Sequence, residues 1–69
     1  MNNKFSQKLY ELRKEKKMKQ SDLGNAIGVS TRSISYYESG ERECDFDTLI
    51  KICKFFGVSS DFMLGLSDY

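Results

Sequence analysis

The sequence predicts an all-α protein of five short helices, and three observations support this prediction. Apolar residues recur at helical spacing in five successive segments. Gly28, Gly40, Gly57 and Gly65 each follow such a segment, and glycine commonly ends a helix. No stretch alternates with period two and no Asn-Gly or Asp-Gly pair indicates a hairpin, so no strand is expected.

The helices are expected over residues 5–16, 20–27, 31–39, 46–56 and 60–64. Ser30, Asp45 and Ser59 precede three of them and are expected N-caps, because their side-chain oxygens can accept hydrogen bonds from the first-turn N–H groups. The residues expected to face inward are Phe5, Leu9, Leu12, Leu23, Ile27, Ile34, Tyr37, Phe46, Leu49, Ile52, Cys53, Phe56 and Phe62.

Length and composition fit one small domain spanning residues 1–69, which buries about 60% of the surface that its unfolded chain exposes. No apolar run approaches the roughly 18 residues of a membrane span, and the polar start MNNK is followed by no apolar signal segment. A cytoplasmic protein with no membrane partner is therefore expected. Cys44 and Cys53 are separated by about 13 Å if they lie along one helix, which is too far for a disulfide, so two free thiols are expected.

Charge is distributed unevenly along the chain, although the net charge is only +1. Residues 1–20 carry seven basic groups against two acidic groups, a sum of +5, and residues 21–69 carry four against eight, a sum of −4. Such asymmetry can present one end of a protein to an anionic partner. It can equally be a solvated helix face that keeps a small protein soluble.

A very tight link joins two short helical segments in the stretch QSDLGNAIGVSTRSISYYESG, residues 20–40. Helices of this length are marginal alone, so packing must hold them in place. Gly28 can adopt a positive φ, Val29 can fill the angle between the helices, and Ser30 can begin the second helix. The apolar residues fall where two helices crossing at a steep angle would touch.

This stretch resembles the helix-turn-helix motif of Cro/CI-type phage repressors and bacterial regulators, the XRE family. The resemblance extends from Phe5 to about Asp68 and includes Gln20, Leu23 and Gly28, the run SISYYESG and the closing KFFGVSSDFMLGLSD. It implies a lambda-repressor-like fold and a bacterial or phage-encoded transcriptional regulator, most simply a repressor. Such a protein binds double-stranded operator DNA as a homodimer through the major groove and is associated with the nucleoid when bound.

The resemblance also implies DNA-contacting roles for individual residues. Thr31, Arg32 and Tyr36 occupy base-contacting positions, and the planar guanidinium of Arg32 matches O6 and N7 of a guanine. The positions expected to contact phosphates are occupied by Gln20, Ser33, Ser39 and Arg42. Without the motif, these polar residues would be interpreted as ordinary caps and solvated positions.

One structural pair is assigned from the same resemblance. Arg13 and Glu38 match a pair that joins the first and third helices, so their role is expected to be structural. The basic cluster between Lys14 and Lys19 could border the DNA backbone or only raise the local field, and it is expected mainly to steer DNA towards the protein.

Several positions depart from the family pattern outside the expected DNA-contacting surface. Gly24 replaces the usual alanine, which is expected to weaken the second helix unless close packing compensates. Lys19 replaces the usual Ser or Thr N-cap, so this helix is expected to lack a cap or to begin at Ser21. Cys44 replaces a usual proline, and Ser60 a usual apolar residue.

A dimer surface is expected on the fourth helix and the C-terminal segment, where apolar residues remain after the core is assigned. These residues are Phe55, Met63, Leu66 and Tyr69. The alternative is that they fold over the edge of the small core.

Two other classes of function compete with DNA binding. A protein interaction module, antitoxin-like or anti-regulator, could use the same fold, and the acidic run of Glu41, Glu43, Asp45 and Asp47 favours it because these groups would repel phosphates. An enzyme is not expected, because the chain has no histidine, no CxxC pair and no glycine-rich phosphate loop. No cofactor, metal site or small-molecule ligand is expected either.

Overall fold

Five α-helices make up the computed structural model, which describes residues 4–68. They are α1 (Phe5–Glu15), α2 (Gln20–Ile27), α3 (Thr31–Ser39), α4 (Phe46–Phe56) and α5 (Ser60–Met63). No strand occurs in this part of the chain, so the predicted all-α class and order of elements are confirmed. Among the same residues, no helix has the length and apolar character needed to cross a membrane.

Three of the helices begin at the predicted caps. In each, a side-chain oxygen accepts a hydrogen bond from an N–H in the first turn: Ser30 from Ser33 at 3.1 Å, Asp45 from Thr48 at 3.2 Å and Ser59 from Phe62 at 3.0 Å. The second helix begins at Gln20 rather than Ser21, and Lys19 supplies no side-chain cap. Instead, the Asp22 carboxylate accepts from the Lys19 N–H at 2.9 Å, which satisfies one donor at this end.

Every helix contributes to one core. The buried apolar residues are Phe5 and Leu9 from α1, Leu23 and Ile27 from α2, Ile34 from α3, Ile52 from α4 and Met63 from α5. Full burial of such a side chain stabilises the folded state by about 1.5–3 kcal/mol. Because α2, α3 and α5 are too short to persist alone, this shared core holds them in place.

Two predicted positions are wrong. Phe46 was expected in the core, but its side chain is 83% exposed. The buried side of α4 is centred on Thr48 and Ile52, and Phe46 lies about 200° around the helix from Thr48. Met63 was expected at a dimer surface but is fully buried, because the single turn of α5 directs this side chain into the core. The Tyr69 prediction lies outside the described residues.

The turn between α2 and α3 packs directly against Gly24. Gly28 adopts φ 79°, and the Gly24 carbonyl accepts hydrogen bonds from the N–H groups of both Gly28 and Val29, at 2.8 and 2.9 Å. A Cβ added at Gly24 would lie 2.6 Å from the Val29 carbonyl oxygen, a distance that real side chains do not show. The glycine therefore replaces the usual alanine because the turn occupies the space of a side chain.

The turn between α1 and α2 contains an unusual lysine. Lys17 adopts φ 57°, the left-handed conformation that generally costs a residue with a side chain about 1–2 kcal/mol. The Lys17 N–H donates to the Lys14 carbonyl and the Met18 N–H donates to the Arg13 carbonyl, at 3.0 and 3.1 Å, the hydrogen-bond pattern that ends helices at a left-handed residue. This turn brings the Met18 carbonyl within 2.7 Å of the Arg13 Nη1 atom.

A buried ion pair fastens α3 to α1. Arg13 Nε lies 2.6 Å from Glu38 Oε2, and Nη2 donates to Oε1 at 3.0 Å, so the contact is bidentate. The side chains are only 9% and 6% exposed, and the paired carboxylate raises the pKa of the guanidinium. Gln20 Nε2 also donates to Glu38 Oε1, at 3.1 Å. One carboxylate thus joins α1, α2 and α3.

We expect Gly24→Ala to destabilise the protein, although alanine is the better helix former by about 0.5–1 kcal/mol. The new methyl group must displace the Val29 carbonyl and open the turn. Thermal unfolding measures the effect, and Asn25→Ala, at an exposed position of the same helix, is the matched control. A rise in the melting temperature of Gly24→Ala equal to that of the control would show that the turn can shift freely.

We expect Glu38→Ala to lower the free energy of unfolding by on the order of 3 kcal/mol, because it leaves the Arg13 charge buried and unpaired. Urea denaturation measures the loss. Glu11→Ala removes an exposed carboxylate of α1 that contacts only Gln7 among the hydrogen bonds described, and we expect it to change stability by less than about 0.5 kcal/mol. Equal stability of the two variants would contradict a structural role for the pair.

Candidate nucleic-acid interface

The first turn of α3 presents two polar side chains to solvent. Thr31 and Arg32 are exposed, whereas Ile34 in the next turn is fully buried. The Ser30 cap fixes where the helix begins, and the Ser30 and Ser33 hydroxyls lie 2.9 Å apart. A helix anchored on its inner side and capped at its start can therefore direct a threonine and an arginine outward from one end.

The other end of α3 carries a stack between Tyr36 and Arg42. The guanidinium carbon of Arg42 lies 4.9 Å from the centre of the Tyr36 ring, a cation–π distance. The chain reverses at Gly40, and the Tyr36 carbonyl accepts from the Glu41 N–H at 3.0 Å, which returns Arg42 to the ring. Sequence reasoning selected both residues separately but missed their contact, because the two lie on opposite sides of a turn.

Ser39 belongs to the same turn. Its hydroxyl donates to the Tyr36 carbonyl at 3.1 Å and accepts from the Glu41 N–H at 3.3 Å. These bonds hold the end of α3 in shape. The hydroxyl is exposed at the surface, so it has a structural task whether or not it contacts a ligand.

Gln20 lies at the first position of α2, where backbone N–H groups are directed out of the helix. Its side-chain amide is held by Glu38, which in turn is held by Arg13. The start of α2 is therefore fixed relative to α3. Helix N-termini of this kind favour anions, because their partial positive charge and unpaired N–H groups both attract them.

Basic and acidic groups lie on different turns beside these helices. Exposed lysines cover the end of α1 and the turn before α2, at positions 14, 16, 17 and 19. Exposed Glu41 and Glu43 lie in the turn after α3. Asp45, in the same acidic run, caps α4, and its hydrogen bond from Thr48 holds the pKa of its carboxyl below the ordinary value. Of the four acidic residues between positions 41 and 47, Asp45 thus has a structural role.

The two cysteines are free thiols, as predicted. Burial raises the pKa of the Cys44 thiol to about 11 and also raises that of Cys53. Both thiols are therefore protonated near neutral pH, where the thiolate is the reactive form. Within residues 4–68, no group of three or more His, Cys, Asp or Glu side chains could hold a metal ion.

Comparison with known proteins identifies the family of this fold. A family model described as helix-turn-helix matches residues 9–63. The structure superposes on that of the P22 c2 repressor protein in complex with synthetic operator 9T with a TM-score of 0.87 and 29% sequence identity, covering 96% of this chain and all of that chain. The lambda-repressor-like class is thereby confirmed.

Sequence relatives point to the same family. The chain is 38% identical over 60 residues to the uncharacterized HTH-type transcriptional regulator YqaE of Bacillus subtilis, covering 87% of this chain and 52% of YqaE. It is 37% identical over 54 residues to the cryptic phage CTXphi transcriptional repressor RstR of Vibrio cholerae, covering 78% of this chain and 49% of RstR. The chain thus spans about half the length of these curated relatives. It belongs to the helix-turn-helix family.

Proposed function

We propose that this protein is a transcriptional regulator that binds double-stranded DNA in a sequence-specific manner, most simply a repressor at an operator. The observation that carries this proposal is the exposed start of α3, where Thr31 and Arg32 extend from a helix that is fixed on its inner side. The likeness to a repressor solved with its operator supports it. We accordingly call α3 the recognition helix. The protein acts in the cytoplasm, where bacterial DNA is found.

Arg32 is the residue best suited to distinguish bases. Its planar guanidinium can donate two hydrogen bonds to O6 and N7 of a guanine in the major groove. Thr31 can place its methyl group against a thymine methyl or its hydroxyl at a base edge. Tyr36 contacts the neighbouring base or phosphate with its ring already held by Arg42, so less rotational freedom is lost on binding.

Phosphate contacts on both sides of the recognition helix set its position in the groove. On one side, Gln20 and the N–H groups that begin α2 bind a phosphate. On the other side, Ser33, Ser39 and Arg42 contact the DNA backbone. Such contacts carry no sequence information, but they fix the register of the protein on the duplex. The Glu38 carboxylate links the two functions, because it holds Gln20 and the recognition helix together.

One monomer contacts only a few base pairs, so we propose that the regulator binds as a homodimer. Two recognition helices about 34 Å apart then enter successive major grooves. Of the expected dimer surface, Phe55 and Leu66 remain candidates, since they are 38% and 75% exposed.

We expect Arg32→Ala to lose about 1–3 kcal/mol of discrimination between the operator and a scrambled duplex. Fluorescence anisotropy against labelled duplex from upstream of the gene measures this, with scrambled duplex as competitor. Arg32→Lys is the matched control, because it keeps the charge but lacks the planar fork. The Arg32→Lys variant should retain affinity for DNA of any sequence and lose discrimination between the operator and the scrambled duplex.

Weak binding that is equal for both duplexes and unaffected by either Arg32 variant would contradict the proposal. It would favour instead a protein interaction module, for which the exposed Glu41 and Glu43 beside the recognition helix are suited.

We expect the lysines before α2 to act mainly on the association rate. Replacing Lys14 and Lys16 together by glutamine should lower the association rate constant several-fold at low salt and leave the dissociation rate constant nearly unchanged, because the lysines attract DNA from a distance. Stopped-flow measurements at two salt concentrations separate the rates. A faster dissociation in the variant would indicate direct phosphate contacts instead.

A further inference from the structure

Lys17, in the turn between α1 and α2, is the one residue other than glycine with a positive φ among residues 4–68. Its φ of 57° belongs to the left-handed conformation, in which a Cβ crowds the backbone and which glycine adopts without crowding. The side chain is exposed, and no hydrogen bond, ion pair or ring contact within the described part of the chain involves it. A lysine here therefore has a conformational cost that no contact of its side chain within those residues offsets.

The turn that contains Lys17 is fixed relative to the surface proposed to contact DNA. The carbonyl of the next residue, Met18, accepts a hydrogen bond from Arg13 Nη1 at 2.7 Å. Arg13 pairs with the Glu38 carboxylate, which also accepts from Gln20 Nε2 at 3.1 Å. One hydrogen-bond network thus holds the turn against the start of α2 and against the recognition helix.

Lys17 is also close in the chain to a proposed phosphate contact. It precedes Gln20, the first residue of α2, by three positions. Three residues span at most about 10 Å between Cα atoms, and each strand of DNA carries one phosphate per roughly 3.4 Å of helix axis. When Gln20 binds one phosphate, the Lys17 ammonium can therefore reach the neighbouring phosphate of the same strand.

Other lysines of the basic cluster have partners within the fold. Lys14 Nζ lies 5.9 Å from the centre of the Tyr10 ring, a cation–π distance. The Lys19 N–H donates to the Asp22 carboxylate at 2.9 Å, which places a negative charge beside that lysine. The charge of Lys17 has no such internal partner in the described residues and is available to an external anion.

We propose that Lys17 binds a backbone phosphate of the DNA, next to the phosphate bound by Gln20, and that its left-handed conformation serves this contact. Residues in sparsely populated conformations persist at functional sites when the surrounding structure holds them there, and the hydrogen-bond network of the turn does so here. This inference rests on the proposed function and adds one phosphate contact to it. Lys17 thereby differs from the lysines that only attract DNA from a distance.

Substitution by glycine separates the conformational cost from the contact. Lys17→Gly relieves the left-handed conformation, so the melting temperature should rise by about 4 °C. The same change removes the ammonium group, so affinity for the operator and for a scrambled duplex should fall equally, by about tenfold at low salt. The slope of log affinity against log salt should become shallower by about 0.9 for each monomer bound, as expected for one phosphate. Thermal unfolding and fluorescence anisotropy at several salt concentrations measure these quantities.

Two glutamine variants complete the test. Lys17→Gln removes the charge but keeps the left-handed conformation, so it should change the slope as the glycine variant does and leave the melting temperature unchanged. Lys16→Gln is the matched control, because Lys16 is the exposed neighbour with an ordinary φ of −85°. It should change the slope much less than Lys17→Gln does.

Three results would each overturn the inference while the wild type still binds the operator. They are a melting temperature that does not rise in Lys17→Gly, a slope that Lys17→Gln leaves unchanged, and equal changes of slope in Lys16→Gln and Lys17→Gln. A wild-type protein that binds neither duplex would contradict the proposed function together with this inference, so the two kinds of failure give different results.

Discussion

The Glu38 carboxylate is the point on which the arrangement of α1, α2 and α3 depends. It accepts from Arg13 on α1 and from Gln20 on α2, and it belongs to α3. Because its side chain is only 6% exposed, its charge is stable there only while both partners are in place. Arg13 in turn donates to the Met18 carbonyl, so the turn with left-handed Lys17 is coupled to the same group. A shared polar contact of this kind gives α3 one orientation, which apolar packing alone defines less sharply.

Local rules were sufficient to predict much of this fold. Three caps, at Ser30, Asp45 and Ser59, follow from side chains that accept hydrogen bonds from the next turn. The core residues of the first two helices follow from helical spacing. The two errors lie at the ends of the chain's last helices: Phe46, the first residue of α4, is about 200° around the helix from the buried Thr48, and the single turn that contains Met63 is too short to show a period.

The candidate site was predicted residue by residue only through a family resemblance, and the contacts between those residues required coordinates. The Tyr36–Arg42 stack forms across a reversal at Gly40, and the bond from Gln20 to Glu38 spans eighteen residues. Neither pair has a spacing that a periodic pattern would select. At Gly24, the sequence predicted a weakened helix unless close packing compensates for the glycine. The structure shows that packing, because the Val29 carbonyl occupies the space that a Cβ would take.

Contact between Arg32 on the recognition helix and a guanine edge in the major groove can be measured by methylation protection. A selected duplex is treated with dimethyl sulfate, which modifies guanine N7, with and without bound protein. We expect a guanine in each half-site to be protected by the wild type and to become reactive again when Arg32→Ala is bound at saturating concentration. Guanine N7 atoms that react equally in free DNA and in the wild-type complex would contradict it, because the major groove would then be unoccupied.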